Sequence, residues 1–134
     1  MKILIDTHIA MWAVLDDPKL SHEARELLTD EKNEVFYSTV SIWETVIKHA
    51  LHPDLVAVDG NELMKFCEDT GFKELTITSQ HAITVKSLQR RNGAPKHNDP
   101  FDRMLIAQAK AEGIKLITHD SFTAIYDEAC ILAV

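Results

Sequence analysis

Short apolar runs alternate along this chain with longer stretches in which apolar residues return every three or four positions. The runs KILI (2–5), VFYS (35–38), ELTI (74–77), KLIT (115–118) and ACILA (129–133) have the length of strands, and several are largely apolar, as strands covered on both faces are. Helical periodicity occupies roughly 8–15, 21–31, 40–51, 60–70, 79–90 and 100–112. Gly71 and Gly113 each close a helical stretch and precede a strand, the place of a left-handed C-terminal cap. Strand and helix in alternation predict a parallel sheet with right-handed crossovers, an α/β fold built as a three-layer α/β/α sandwich on five parallel strands. No Pro/Gly/Ser-rich linker, repeat or change of composition interrupts residues 1–134, so one domain is expected.

Composition narrows the function classes. With 46% hydrophobic and 26% charged residues the chain is that of a packed globular protein, long enough to close a core without disulfides. Its net charge of −7 excludes a general polyanion binder; contact with nucleic acid requires a local basic surface or cations held in an acidic pocket. Cys67 and Cys130 lack metal-ligand spacing and sit in apolar stretches, which suits reduced thiols in a reducing, cytoplasmic compartment. No long apolar run follows a basic flank, so neither a signal peptide nor a membrane span is expected.

The predicted fold says where chemistry can sit, because open parallel sheets bind ligands beyond the carboxyl ends of their strands. Asp6 follows the first strand, Asp120 lies two residues beyond Thr118, and Glu44 stands about one turn into the helix after the second strand. Asp102 opens the helix that precedes the fourth strand, and that helix must begin at the carboxyl edge. Each acid also has a structural reading: Asp6 or Thr7 as a helix cap, Glu44 in a capping box with Ser41, Asp102 in the dipole-favoured first turn behind the Asp99 cap, and Asp120 as the cap of a short helix near Phe122. Together at one edge the four would repel one another unless a cation lay among them.

The stretches IDTHIAMW (5–12), VSIWETVIK (40–48), NDPFDRMLIAQA (98–109) and LITHDSF (116–122), with GFKEL (71–75) and QHA (80–82), resemble the successive motifs of PIN-domain proteins, most closely the VapC-like toxins of toxin–antitoxin pairs. The resemblance implies a parallel α/β sandwich with Mg²⁺- or Mn²⁺-dependent endoribonuclease activity. It assigns catalysis and metal binding to Asp6, Glu44, Asp102 and Asp120, gives Thr118 a supporting role, and implies products with 5′-phosphate and 3′-hydroxyl ends. The partners it implies are RNA, a cognate antitoxin and a second copy of the chain in a homodimer.

The residue types agree with that chemistry. Mg²⁺ and Mn²⁺ favour carboxylate oxygens, and a carboxylate cluster suits hydrolysis by a metal-activated water, without a protein nucleophile. Seven histidines occur without HxxxH or HExxH spacing, so zinc chemistry is not expected, and His97 and His119 read first as loop residues. Residues 86–103 carry Lys86, Arg90, Arg91, Lys96 and Arg103 against Asp99 and Asp102, a candidate phosphate-contacting rim, with Arg103 the best placed to orient phosphate or a ligand. Trp12 and Trp43 are candidate partner anchors. Two other classes stay open: a noncatalytic PIN-like module binding RNA or protein, and a phosphorelay receiver, which lacks here its second acid after Asp6 and any Lys beyond Lys115.

Overall fold

The computed structural model describes residues 1–134. Strands β1 (Lys2–Ile5), β2 (Glu34–Ser38), β3 (Lys73–Leu75), β4 (Lys115–Thr118) and β5 (Ile131–Ala133) make one sheet in the order β3-β2-β1-β4-β5, each neighbouring pair parallel. The period of two in β1 divides the core. Ile3 and Ile5 face a cluster with Ile9, Leu63 and Ile117, while Leu4 faces the opposite cluster with Leu105, Ile106, Leu116 and Tyr126. From β1 the chain builds the sheet outward to β2 and β3, then returns to the other side for β4 and β5. Strand order therefore reverses at the β1/β4 seam, and the carboxyl ends of these strands open a crevice. A receiver would run 2-1-3-4-5, so the order found here excludes that architecture.

The helices are α1 (Thr7–Leu15), α2 (His22–Thr29), α3 (Thr39–Leu51), α4 (Gly60–Thr70), α5 (Ser79–Thr84), α6 (Pro100–Glu112) and α7 (Phe122–Ile125). Gly71 and Gly113 close α4 and α6 at φ +87° and +67°, a region in which a Cβ is strained. No helix is long and apolar enough to cross a membrane.

The structure shortens several predicted elements. β3 ends at Leu75 rather than residue 77, because Thr78 leaves the sheet to cap α5 with its hydroxyl on the His81 N–H. The helix expected over 79–90 stops at Thr84 and tightens into a single 3₁₀ turn, Val85–Ser87. Beyond it the backbone is claimed by distant partners: the Gln89 N–H donates to the Glu128 carboxylate at 2.6 Å, and Arg90 forms an antiparallel bridge with Tyr126. Long-range pairing here overrides local helical propensity. β5 begins at Ile131 rather than 129, and α2 ends at Thr29 rather than 31.

Candidate metal centre

The crevice is built from strand ends and helix starts. Asp6, 2% exposed, directly follows β1 and caps α1: its Oδ1 accepts the Ile9 N–H at 2.8 Å, while its Oδ2 accepts the hydroxyl proton of Thr118 at the end of β4. The capping and cluster readings of Asp6 are thus compatible, one oxygen serving each. Burial pushes its carboxyl up to about 6, against the opposing pull of the Thr118 and Ile9 hydrogen bonds, with the nearby Asp120 charge adding to the rise.

Glu44 is 3% exposed on α3. The Ser41–Glu44 capping box does not form, because α3 starts at Thr39 and is capped by Ser38, whose Oγ accepts the Val40 N–H at 3.0 Å. The Ser41 hydroxyl instead meets that of Thr7 at 2.9 Å, tying α1 to α3. Glu44 Oε2 pairs with the Lys48 ammonium one turn on; Oε1 is buried with no hydrogen-bond partner. Burial alone would lower the Lys48 ammonium, but the hydrogen bond and charge of Glu44 outweigh it and hold it above the usual lysine range.

Asp102 lies in the first turn of α6, behind the cap in which Asp99 Oδ1 accepts the N–H groups of Phe101 at 2.9 Å and Asp102 at 3.1 Å. Burial, then the charges of Asp99, Glu44, Asp120 and Asp6, push the Asp102 carboxyl up to about 7. Asp120 donates its backbone N–H to Thr118 Oγ1 at 3.0 Å and places its carboxylate 3.3 Å from His8 Nδ1. It does not cap α7, whose N-cap is Ser121.

Ligand atoms of Asp6, His8 and Asp120 lie within 4.8 Å of one another. Glu44 and Asp102 stand outside this triplet, but line with His8, Lys48, His97 and Asp120 a cavity of about 250 Å³. His8 was missed in the sequence, where a lone imidazole in a first helical turn has no informative spacing; its position two residues after Asp6 was the available signal. The donors suit a hard divalent cation: carboxylates dominate, no cysteine is near, and Glu44 Oε1 lacks the partner a buried oxygen ordinarily has.

The profile of the PIN domain family matches residues 3–127. This chain belongs to the PIN domain family. No curated protein matches the sequence. Two solved structures share the fold: a chain of VapBC2 from Rickettsia felis bound to a promoter DNA fragment, with TM-score 0.72 and 16% identity, and a chain of DNA-bound VapBC from Salmonella typhimurium, with TM-score 0.65 and 17% identity. Both alignments cover 99% of this chain and 98% of the other.

Elsewhere in this PIN domain the predicted basic rim is partly committed. Arg91 donates to the Thr123 carbonyl at 2.7 Å and Arg90 to that of Ala94 at 3.1 Å, although both remain exposed beside Lys86 and Lys96. Arg103, expected to orient phosphate or a ligand, turns toward the fold. Its guanidinium donates to the Tyr126 hydroxyl at 3.0 Å and the Val85 carbonyl at 3.2 Å, and is half-buried inside the fold. His119 is held at the chain end, Nδ1 at 3.1 Å from the Val134 carbonyl and its ring edge-on to Trp12.

Proposed function

We propose that this PIN domain is a Mg²⁺- or Mn²⁺-dependent endoribonuclease acting as the toxin of a toxin–antitoxin pair. The observation that carries the reading is the crowding of Asp6, Glu44, Asp102 and Asp120 at the reversal of strand order, with one oxygen of Glu44 buried and unpaired. Metal-free, the arrangement is electrostatically unfavourable. The four carboxylates would hold the cation, with His8 beside Asp120. When bound, the cation supplies charge that stabilises a phosphodiester under attack by water.

The chain's own groups shape the site around that charge. Thr118 fixes the rotation of Asp6, Lys48 neutralises one oxygen of Glu44, and Asp99 starts the helix that carries Asp102. Lys86 and Lys96 remain exposed to meet an RNA backbone. The acidic crevice also suits an Arg or Lys delivered by an antitoxin, and the VapBC complexes that share the fold support such a partner. A homodimer is the proposed assembly, with the exposed Trp43 and Val46 of α3 offering apolar surface for it. The proposed compartment is the cytoplasm, in keeping with two free thiols.

Purified protein supplied with Mg²⁺ or Mn²⁺ should cut RNA, EDTA should stop the reaction, and Asp6→Asn should abolish it with the fold intact. Metal-independent binding of RNA without cleavage across a broad panel would replace this reading with a noncatalytic PIN-like module.

A further inference from the structure

Arg103, Tyr126, His97 and Asp102 form one polar line that ends at the carboxylate cluster. The Tyr126 hydroxyl is its centre. It accepts from Arg103 Nη1 at 3.0 Å and stands 2.8 Å from His97 Nδ1, while His97 Nε2 faces Asp102 Oδ2 at 3.4 Å. The line is held from its buried end: Tyr126 is fully buried, Arg103 is anchored a second time on the Val85 carbonyl, and the imidazole packs against Phe122 and Tyr126 with ring centroids 5.5 Å away in each case. Arg103 also lies over the Tyr126 ring, 5.9 Å from its centroid.

Proton direction along the line follows from donor and acceptor capacity. A guanidinium can only donate, so the Tyr126 oxygen accepts from Arg103 and its one proton needs an acceptor of its own. His97 Nδ1 at 2.8 Å serves better than the His97 carbonyl at 3.5 Å. A neutral His97 then carries its proton on Nε2, toward Asp102. The opposite tautomer would set an unshared nitrogen pair against a carboxylate oxygen.

We infer that His97, oriented by Tyr126 and Arg103, is a positioning residue for Asp102. Its Nε2 edge faces Oδ2 at 3.4 Å, a polar contact longer than an ordinary hydrogen bond, and Oδ1 has no protein donor. Partners behind a metal ligand commonly fix its orientation in this way, and their loss weakens metal binding by about 10–100-fold. Arg103 thereby reaches the site through two intermediaries. The inference rests on the carboxylate cluster being the cation site.

Two measurements test it, neither reading activity. Nitrogen-15 correlation spectra of the histidine rings in metal-free protein, recorded above about pH 8 where Asp102 is ionised, should show His97 with Nδ1 unprotonated and Nε2 protonated, and Tyr126→Phe should change that pattern. Calorimetric titration with Mn²⁺ should show about 10-fold weaker binding for Tyr126→Phe and His97→Ala, with His97→Gln, whose amide can still donate, recovering part of the loss. His97→Ala and His97→Gln, on a half-buried loop residue, keep the test open should Tyr126→Phe fail to fold. A wild-type His97 protonated only on Nδ1, or His97→Ala binding Mn²⁺ as wild type does, would overturn the positioning role and leave the nuclease reading standing. Absence of Mn²⁺ binding by wild type would overturn both.

Discussion

Thr118 donates its hydroxyl proton to Asp6 Oδ2 across the β1/β4 seam, joining residues 112 positions apart. Thr118 Oγ1 in turn accepts the Asp120 N–H at 3.0 Å, so one hydroxyl sets the rotation of one acid and the backbone course of another. Thr118→Val keeps the shape and removes both bonds, leaving a buried carboxylate oxygen and a backbone N–H short of partners. It should cost about 1–3 kcal/mol in urea denaturation, with Thr118→Ser costing clearly less. Equal stability of Thr118→Val and wild type would show the bond to be energetically idle.

Stability of the metal-free protein should fall as pH rises toward neutrality. The folded carboxyls of Asp102 and Asp6 sit at about 7 and about 6 against an ordinary 3.8, so between these values the folded state holds protons that the unfolded state has released. Their contribution is fully present below about pH 4 and lost as pH rises through 6 to 7. In EDTA, Asp102→Asn should flatten this slope and raise the melting temperature near pH 8. Stabilisation by Mn²⁺ should run oppositely, growing as pH rises and the ligands ionise. Melting curves at several pH values, with and without metal, check both signs.

Asp99 and Asp102 should separate cleanly in cleavage assays. Asp99 bonds only to backbone N–H groups of its own helix start, work that Asn does nearly as well, so Asp99→Asn should keep most activity. Asp102→Asn should lose it. The reverse outcome would move the third proposed catalytic acid to Asp99.

Lys48→Met should act with opposite signs in two conditions. Without metal, it strips the counter-charge from a buried Glu44 and should destabilise by about 1–2 kcal/mol, short of a fully buried pair because Lys48 is partly exposed. With Mn²⁺ present, the freed Glu44 should enlarge the melting-temperature rise relative to wild type. A variant that responds to Mn²⁺ less than wild type would make Lys48 part of the cation site's support.

Much of the architecture is local and therefore readable along the chain. β1 and β4 are apolar because their strands are covered on both faces, and Gly71 and Gly113 mark helix ends because only a residue without a Cβ turns left-handed there cheaply. The Asp99-Pro100 helix start is legible for the same reason: cap geometry involves three or four neighbouring residues. Placing Asp6, Asp102 and Asp120 at one edge needed only the rule that parallel strands point the same way.

Other features depend on partners that sequence order does not announce. Ser41 and Glu44 have capping-box spacing, yet α3 begins two residues before Ser41, and the Ser41 hydroxyl pairs with Thr7 of another helix. The helix expected to reach residue 90 breaks because Gln89 and Arg90 find Glu128 and Tyr126, which adjoin them only after folding. Arg103 adjoins an acid in sequence but points into the fold, where the Tyr126 hydroxyl takes its hydrogen bond. His8 and His97 enter the crevice because side-chain direction is set by packing around them, and periodicity carries no record of that. Residue type and local spacing decide which elements form and which groups can bind a cation; the tertiary structure decides which oxygens are free to do so, because long-range hydrogen bonds occupy the rest.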